Sequence, residues 1–332
     1  MKAVWITELG KLEQAGLAEV QDPEPGPGEV VLEVRAAEVN YPDMMVVEGT
    51  YQNRPPLPFS PGKGAAGRVL ALGAGVSGLA VGERIATQVE YGAYAQRLRA
   101  PACNCFPLPA SIDFPTAAAL GLAYQTAWFA LVERARLQPG ETVLVLGASG
   151  GVGVAAVQLA KALGAGAVIA AVRAEADAAV ARAAGADGVV LVGGGQPVRE
   201  PLREQVASLL GGRGADVVVD PVGGEIGTAA LRTLAWCGRL VVIGFAAGAP
   251  PEVRANYLLV KNIAVLGLHW SDYRDRTPER VAEAQRAIFA FHEAGRLNPV
   301  IEAVLPMSRV RDALRALRDG TVQGKLVLDP SM

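Results

Sequence analysis

The chain has 332 residues, of which 51% are apolar, and its formal net charge is −2. This length suffices for two domains with cores of their own, and the even scatter of Lys and Arg makes nucleic acid an unexpected partner. No apolar run is long enough to span a bilayer, and the first residues read as a strand and not as a signal segment. The three cysteines, Cys103, Cys105 and Cys237, do not form a disulfide framework. These features favour a cytoplasmic protein without a membrane partner.

Short apolar alternations separated by Pro and Gly dominate the first third of the chain. The segments 30–34, 67–72 and 83–86 each read as a strand. Strands of this length with such punctuation predict a small, irregular β-rich domain.

From about Gly121 onward, strand-like and helix-like segments alternate. Continuous β-branched runs among them are typical of strands covered on both faces. The pattern predicts an α/β domain with a doubly wound parallel sheet. A helix over 308–319 and a strand from Lys325 follow, and this last strand is expected to return to the first domain. The six predicted sheet strands are 142–146, 167–172, 188–192, 215–220, 239–244 and 263–268, and helices are predicted at 154–163 and 177–184.

A glycine-rich turn joins the first of these strands to a helix. Gly147 and Gly150 allow a tight turn, Gly151 lets the backbone approach a phosphate beside Val152, and Gly153 lets the helix lie against the sheet. A pyrophosphate then rests on the free N–H groups of the helix N-terminus. The turn therefore predicts a dinucleotide site.

The end of the second strand distinguishes NADP from NAD, because an acid there binds the ribose 2′-hydroxyl and repels a 2′-phosphate. Arg173 occupies this place and offers a charged fork suited to phosphate. Glu175, two residues later, keeps NAD open. We predict NADP (NADPH) as the cofactor.

Several stretches along the chain form a recognisable family pattern. Together they resemble the zinc-free medium-chain dehydrogenase/reductase superfamily, specifically its NADPH:quinone oxidoreductase branch, over nearly the whole chain. The stretches are 40–43, 49–59, 121–127, the glycine turn and 219–224, supported by 243–246 and 324–327.

The resemblance implies a GroES-like catalytic domain over 1–122 and 271–332, a Rossmann domain over 123–270, and an active site in the cleft between them. It also implies a homodimer in which the sixth Rossmann strand pairs across a two-fold axis. By the family pattern, Asn40 and Thr126 lie near the nicotinamide and Lys325 approaches the cofactor. The residues that wall the nicotinamide are Phe245, Ala246, Leu268 and Trp270.

The chain also departs from the family pattern. Zinc relatives have Cys where Asn40 stands and His-Glu where Lys63 and Gly64 stand, so no zinc or other metal is expected. Relatives without zinc often keep an acid at the position of Gly64. In relatives, a Lys and a Tyr commonly contact the 2′-phosphate, and this chain has Asp177 and residues 192–193 at those positions. Arg173 is therefore the one residue expected from the sequence to contact the 2′-phosphate.

Hydride transfer without a metal suits acceptors that are already easily reduced, such as quinones and small conjugated enones. Tyr51 matches the proton donor of related enoyl-thioester reductases, although a cleft-lining aromatic role is equally compatible with its position. Tyr51 and Asn40 are the candidate catalytic residues. Three hypotheses stay open: an NADPH-dependent quinone or enone reductase, an enoyl-thioester reductase of the acryloyl- or crotonyl-CoA type, and a non-catalytic NADPH-binding protein.

Overall fold

The computed structural model describes residues 1–193 and 198–332. The chain divides into two compact units. The first unit comprises Met1–Gln125, Ser271–Glu293 and Pro299–Met332. The second unit comprises Thr126–Trp270 and Ala294–Asn298.

The strands and helices are numbered in chain order. The strands are β1 (Lys2–Trp5), β2 (Gly16–Glu19), β3 (Glu29–Val39), β4 (Gly64–Leu72), β5 (Arg84–Gln88), β6 (Arg97–Pro101), β7 (Cys105–Pro107), β8 (Thr142–Leu146), β9 (Ala167–Val172), β10 (Gly188–Leu191), β11 (Ala215–Asp220), β12 (Leu234–Val242), β13 (Ala264–Gly267), β14 (Ile301–Pro306) and β15 (Lys325–Asp329). The helices are α1 (Tyr41–Val47), α2 (Phe114–Ala119), α3 (Leu122–Trp128), α4 (Gly151–Ala162), α5 (Glu175–Ala183), α6 (Arg199–Leu209), α7 (Gly224–Ala230), α8 (Ala255–Lys261), α9 (Trp270–Arg276), α10 (Pro278–Glu293) and α11 (Val310–Arg318).

The first unit is built around the long strand β3. The strand order of its main sheet is β14-β15-β3-β4-β5-β7, and β6 also pairs with β3. β3 pairs antiparallel with β4, β6 and β15, and its register with β4 shifts at two places, as expected of a curved, GroES-like sheet. The predicted last strand is thus present as β15, hydrogen-bonded to β3. The core of this unit includes Val4, Leu32, Ile85, Tyr94 and Leu328.

The second unit contains a six-stranded parallel sheet with the order β10-β9-β8-β11-β12-β13. This is the Rossmann order, and it confirms the predicted α/β fold class. All five residues of β8 are buried, as the apolar run 143–146 predicts. Core residues on its strands and on the helix α6 include Leu144, Ile169, Val206 and Val218.

The fifth strand of the parallel sheet begins earlier than the sequence predicts. β12 begins at Leu234 and not at residue 239. Cys237 within it has a φ of +61°, a backbone angle that interrupts regular strand geometry. The local irregularity hid the first half of the strand from a pattern-based prediction.

The helices of both units are of ordinary globular length, and α10 has 16 residues. In the part of the chain that the structure describes, no helix combines the length and apolarity that a membrane-spanning segment needs.

Candidate active site

Asn40 and Asp43 form a buried corner where β3 leads into α1. Asn40 is the residue before the helix, and Pro42 in the first turn suits a helix start. The Oδ2 atom of Asp43 accepts hydrogen bonds from the Asn40 N–H and the Tyr94 hydroxyl, both at 2.8 Å. Burial raises the pKa of Asp43 to about 6, although the charge of Lys63 opposes this shift.

Lys325, at the start of β15, fixes the orientation of the Asn40 side chain. Its buried ammonium group donates to Asn40 Oδ1 and to the Val39 carbonyl oxygen, the latter at 3.2 Å. Because an ammonium group can only donate, the amide oxygen of Asn40 must face it. Asn40 Nδ2 is buried and has no hydrogen-bond partner among the described residues. Asn40 therefore holds an oriented, unused donor.

A second cluster surrounds Tyr51 in the loop after α1. Lys63 is 2% exposed, and its Nζ donates to Glu90 Oε1 at 2.5 Å and to the Glu90 carbonyl oxygen at 3.1 Å. The same Nζ lies 4.6 Å from the centre of the Tyr51 ring. Arg274 of α9 donates to the other carboxylate oxygen of Glu90 at 2.9 Å. Burial disfavours ionisation of Glu90, but Lys63 and Arg274 outweigh it and hold the pKa of this carboxyl below its ordinary value.

Tyr51 is kept protonated by its surroundings. Burial, followed by the negative charge of Glu90, raises the pKa of Tyr51 to about 12, and a hydrogen bond with the Ser271 side chain opposes the shift only in part. At neutral pH the phenol is therefore neutral and can donate a hydrogen bond or a proton.

The glycine turn of the second unit has the geometry that a phosphate cradle requires. Gly147, directly after β8, has a φ of +60°, which side chains rarely tolerate. A Cβ at Gly153 would lie 2.6 Å from the Ala148 Cα and closer still to the Gly147 carbonyl oxygen. α4 begins at Gly151, so the N–H groups of its first turn point out of the helix without intrahelical partners.

Gly153→Ala is expected to destabilise the second unit, whereas Gly150→Ala should not. The first change forces a methyl group into backbone, with an expected cost of about 1–3 kcal/mol. At Gly150 the nearest atom to an added Cβ is 3.6 Å away and φ is −81°, so alanine fits. Urea unfolding of both variants measures the difference. Equal stabilities would contradict the close packing described for Gly153.

A loop after β11 packs against this turn. Asp220, the last residue of β11, accepts backbone hydrogen bonds from Val222 at 2.9 Å and Gly223 at 2.8 Å. Burial raises the pKa of Asp220, and these two N–H groups oppose the shift. A Cβ at Gly147 would lie 2.9 Å from a methyl group of Val222. Asp220 thus shapes the loop that lies over the glycine turn.

Comparisons with known proteins agree with both units. Residues 26–110 match the family model of the alcohol dehydrogenase GroES-like domain, and residues 151–290 match that of the zinc-binding dehydrogenases. The chain is 36% identical over 302 residues to quinone oxidoreductase-like protein 2 of Bos taurus, covering 91% of this chain and 85% of the relative. The chain belongs to the medium-chain dehydrogenase/reductase superfamily, in its quinone oxidoreductase branch.

Two solved structures extend this likeness to nearly the full chain. The Escherichia coli quinone oxidoreductase complexed with NADPH has a TM-score of 0.90 and 30% identity, covering 99% of this chain and all of that one. The mycobacterial protein Rv1454c complexed with NADPH has a TM-score of 0.92 and 29% identity, with the same coverage.

In this superfamily member, the predicted residues fall into two sets. Asn40, Tyr51 and Lys325 belong to the first unit, where Lys325 contacts Asn40 and where Tyr51 lies in the Lys63–Glu90 cluster. The predicted residues of the second unit are Thr126, the turn residues Gly147, Gly150, Gly151, Val152 and Gly153, and Arg173, Phe245, Ala246, Leu268 and Trp270.

Within the second unit, several of these residues follow strands of the parallel sheet. Arg173 is exposed and comes directly after β9, while Phe245 and Ala246 follow β12. Phe245 is 46% exposed, and the Ala246 N–H donates to the Pro221 carbonyl oxygen at 3.2 Å. The carboxyl ends of parallel strands form one edge of the sheet, which brings these residues to the edge that carries the glycine turn. Thr126, Leu268 and Trp270 are buried.

Four charged residues of the first unit were not identified as site residues from the sequence. From the sequence, Lys63 is only a residue that replaces a zinc ligand, and no local pattern marks Glu90 or Arg274. Glu38 interrupts an apolar stretch of β3, which is a signal that could have been used. Arg274 carries no such signal, because its partner Glu90 lies 184 residues away in the chain.

Within residues 1–193 and 198–332, no group of three or more His, Cys, Asp and Glu side chains could hold a metal ion.

Proposed function

We propose that the protein is an NADPH-dependent oxidoreductase that reduces quinones or small conjugated enones without a metal. The proposal depends mainly on the orientation of the Asn40 side-chain amide. It is held by Lys325 so that a buried donor, Nδ2, stays available to an acceptor oxygen. A preorganised donor of this kind stabilises the negative charge that develops on a carbonyl oxygen during reduction.

The residues of the second unit fit a dinucleotide. The positive φ of Gly147, the close backbone approach at Gly153 and the open N–H groups at the start of α4 leave room and donors for a pyrophosphate. Two similar structures are complexes with NADPH, which supports the same cofactor here. NADPH supplies a hydride when bound. The proposed cofactor contacts are those predicted from the sequence, including Thr126 and Lys325.

Lys63 supports the metal-free part of the proposal. It stands where zinc relatives have a ligand, and its buried ammonium group is locked to Glu90 at 2.5 Å. A fixed positive charge at this place repels a second cation instead of binding it.

Tyr51 and Asn40 would act on the acceptor as hydrogen-bond donors. The pKa of Tyr51, at about 12, keeps its hydroxyl protonated, so the phenol can donate to a carbonyl or enolate oxygen. Quinones and enones need only this degree of polarisation, whereas a simple ketone would have to form an alkoxide, which requires stronger charge stabilisation.

A turnover panel tests the proposal. Purified protein with NADPH is assayed against a naphthoquinone, an enone and a crotonyl thioester, with and without EDTA. We expect quinone or enone turnover that is insensitive to EDTA, and no stoichiometric zinc by elemental analysis. Turnover of the thioester alone would favour the enoyl-thioester hypothesis. NADPH binding without any turnover would favour the non-catalytic one.

Arg173→Ala is expected to weaken NADPH binding by about 1.5–3 kcal/mol, the range for a lost hydrogen bond to a charged group. NADH binding should change little, because NADH lacks the 2′-phosphate. The competing acid, Glu175, forms a solvent-exposed ion pair with Arg182 at 2.8 Å. Fluorescence titration with both cofactors measures the effect, and Arg213→Ala, at an exposed site, is the control. Equal wild-type affinities for NADPH and NADH would refute the assignment.

We also propose a homodimer formed at the edge of the Rossmann sheet. β13 is the outermost strand, and in the described chain no further strand pairs with it. Leu259 and Val260 on the preceding helix are 78% and 73% exposed. Light scattering should give the mass of a dimer, and Leu259→Asp should weaken the association by about tenfold or more. A monomeric wild type at micromolar concentration would exclude this assembly.

A further inference from the structure

Glu38 is a buried carboxylate in the first unit to which the proposed reaction assigns no role. It lies on β3 and is completely inaccessible to solvent. Its Oε1 accepts hydrogen bonds from the Leu122 N–H at 2.8 Å and from Gln88 Nε2 at 3.1 Å. Its Oε2 lies 2.9 Å from Lys325 Nζ in an ion pair. Burying a carboxylate without partners costs free energy. Glu38 has partners on both of its oxygens, which compensate for its burial.

Two glycines make the space that this carboxylate occupies. A Cβ at Gly121 would lie 2.6 Å from Glu38 Oε1. A Cβ at Gly64 would lie 2.6 Å from Gln88 Nε2 and closer still to Glu38 Oε1. Neither glycine has the positive φ that would explain it by backbone conformation. Both positions are therefore explained by the need to leave room for the Glu38–Gln88 pair.

Glu38 also stands one contact away from the Asn40 amide. Lys325 bridges the two, because its ammonium group pairs with Glu38 and donates to Asn40 Oδ1. A residue that fixes the position of the Lys325 ammonium group therefore also fixes the orientation of the Asn40 amide, and so the direction in which its NH₂ group can donate.

We propose that Glu38 is a positioning residue: by pairing with Lys325 it holds the Asn40 carboxamide with its NH₂ group available to the acceptor oxygen. The catalytic consequence rests on the proposed function, whereas the orientation of Asn40 does not. Replacing Glu38 by glutamine keeps the shape and the acceptor for Leu122. It also turns an NH₂ group towards Lys325, so that two donors face each other.

The first test is spectroscopic and needs no turnover. The protein is labelled with ¹⁵N at asparagine, and the two side-chain NH₂ resonances of each asparagine are recorded by NMR. The pair of resonances that belongs to Asn40 is identified because it is absent in Asn40→Asp. We expect Glu38→Gln to shift or broaden this pair. Glu33→Gln, on the same strand but with a side chain that is 45% exposed, should leave it unchanged. An unmoved Asn40 pair in Glu38→Gln would overturn the proposal.

The second test is kinetic and separates positioning from cofactor binding. Glu38→Gln should lower kcat for the quinone or enone by about tenfold or more, as expected when an oxyanion donor is misplaced. The KM for the acceptor should change less than kcat. Loss of NADPH binding with an unchanged kcat at saturation would overturn the role in catalysis. If no acceptor is turned over by the wild type but Asn40 still moves in Glu38→Gln, the proposed function fails and the positioning role stands.

A double-variant cycle covers the case in which Glu38→Gln folds poorly. Glu38→Gln and Lys325→Met each leave one buried charge unpaired, whereas the double variant removes both charges. We expect the melting temperature of the double variant to lie above that of at least the less stable single variant. Losses that simply add would show that the two side chains act independently, which would overturn the proposal.

Discussion

Tyr51→Phe is expected to keep most of the quinone reductase activity of the wild type, with an altered KM. The oxygens of a reduced quinone are basic enough to be protonated by solvent, so the phenol is not needed as an acid. With an enone or an enoyl thioester the outcome should differ. There the enolate carbon or oxygen requires a placed proton donor, and loss of the Tyr51 hydroxyl should lower the rate by about 10²–10⁴-fold. Steady-state assays with each class of acceptor measure both effects.

The Tyr51→Phe variant removes a hydrogen-bond donor without changing the charge of the protein. With a pKa of about 12, Tyr51 carries its proton throughout the neutral range, so the variant removes a donor and no charge. Tyr91→Phe removes a phenol that is 42% exposed, and it should be silent with every acceptor. A quinone reductase that is crippled by Tyr51→Phe, with NADPH binding intact, would show that the tyrosine has a larger role than we propose.

Asp43 is expected to make the first unit less stable as the pH rises from about 4 to 6. The folded-state pKa of Asp43 is raised to about 6 from an ordinary value of 3.8, mainly by burial. Below 3.8 both folded and unfolded chains carry the proton. Between the two values only the folded chain holds it, and above 6 the folded chain must keep a buried charge. The lost stability is on the order of 3 kcal/mol, at 1.36 kcal/mol per pKa unit.

Asp43→Asn isolates this contribution. The asparagine oxygen can still accept from the Asn40 N–H and the Tyr94 hydroxyl, but the side chain no longer titrates. The unfolding free energy of the variant, relative to that of the wild type, should therefore rise between pH 4 and pH 7. Urea unfolding across this range measures it. Asp312→Asn, which replaces an exposed carboxylate on α11, is the matched control. A pH-independent difference for Asp43→Asn would mean that the carboxyl titrates normally.

The Rossmann part of the fold could be predicted closely because each strand carries its own signal. β8, β9 and β11 each contain a run of apolar residues that includes β-branched ones, and the structure gives the three strands the predicted bounds. The start of β12 could not be predicted as closely, because Cys237 adopts a left-handed backbone conformation that interrupts the regular strand. The strand order then follows from general rules for parallel sheets.

The candidate site was predictable only where a motif is local. The glycine turn and the Asn40 segment each lie within a few residues, so their meaning can be taken from the sequence. The contacts that orient them join distant residues: Lys325 meets Asn40 across 285 residues, and Arg274 meets Glu90 across 184. The sequence around each of these residues does not indicate which distant residue it contacts. Such pairs are specified by the tertiary fold alone.

The arrangement of β3 also has a consequence for how the chain is made. β3 is flanked by β15 as well as by β4 and β6, yet β15 lies near the end of the chain. At a synthesis rate of about 5–20 residues per second, the partner of Asn40 emerges roughly 15–60 s after it. During this interval residues 126–270 are already available to fold, while one edge of β3 lacks its neighbour. Unpaired edges are the surfaces through which nascent chains join one another. We therefore expect this edge of β3 to stay unpaired until β15 has been synthesised.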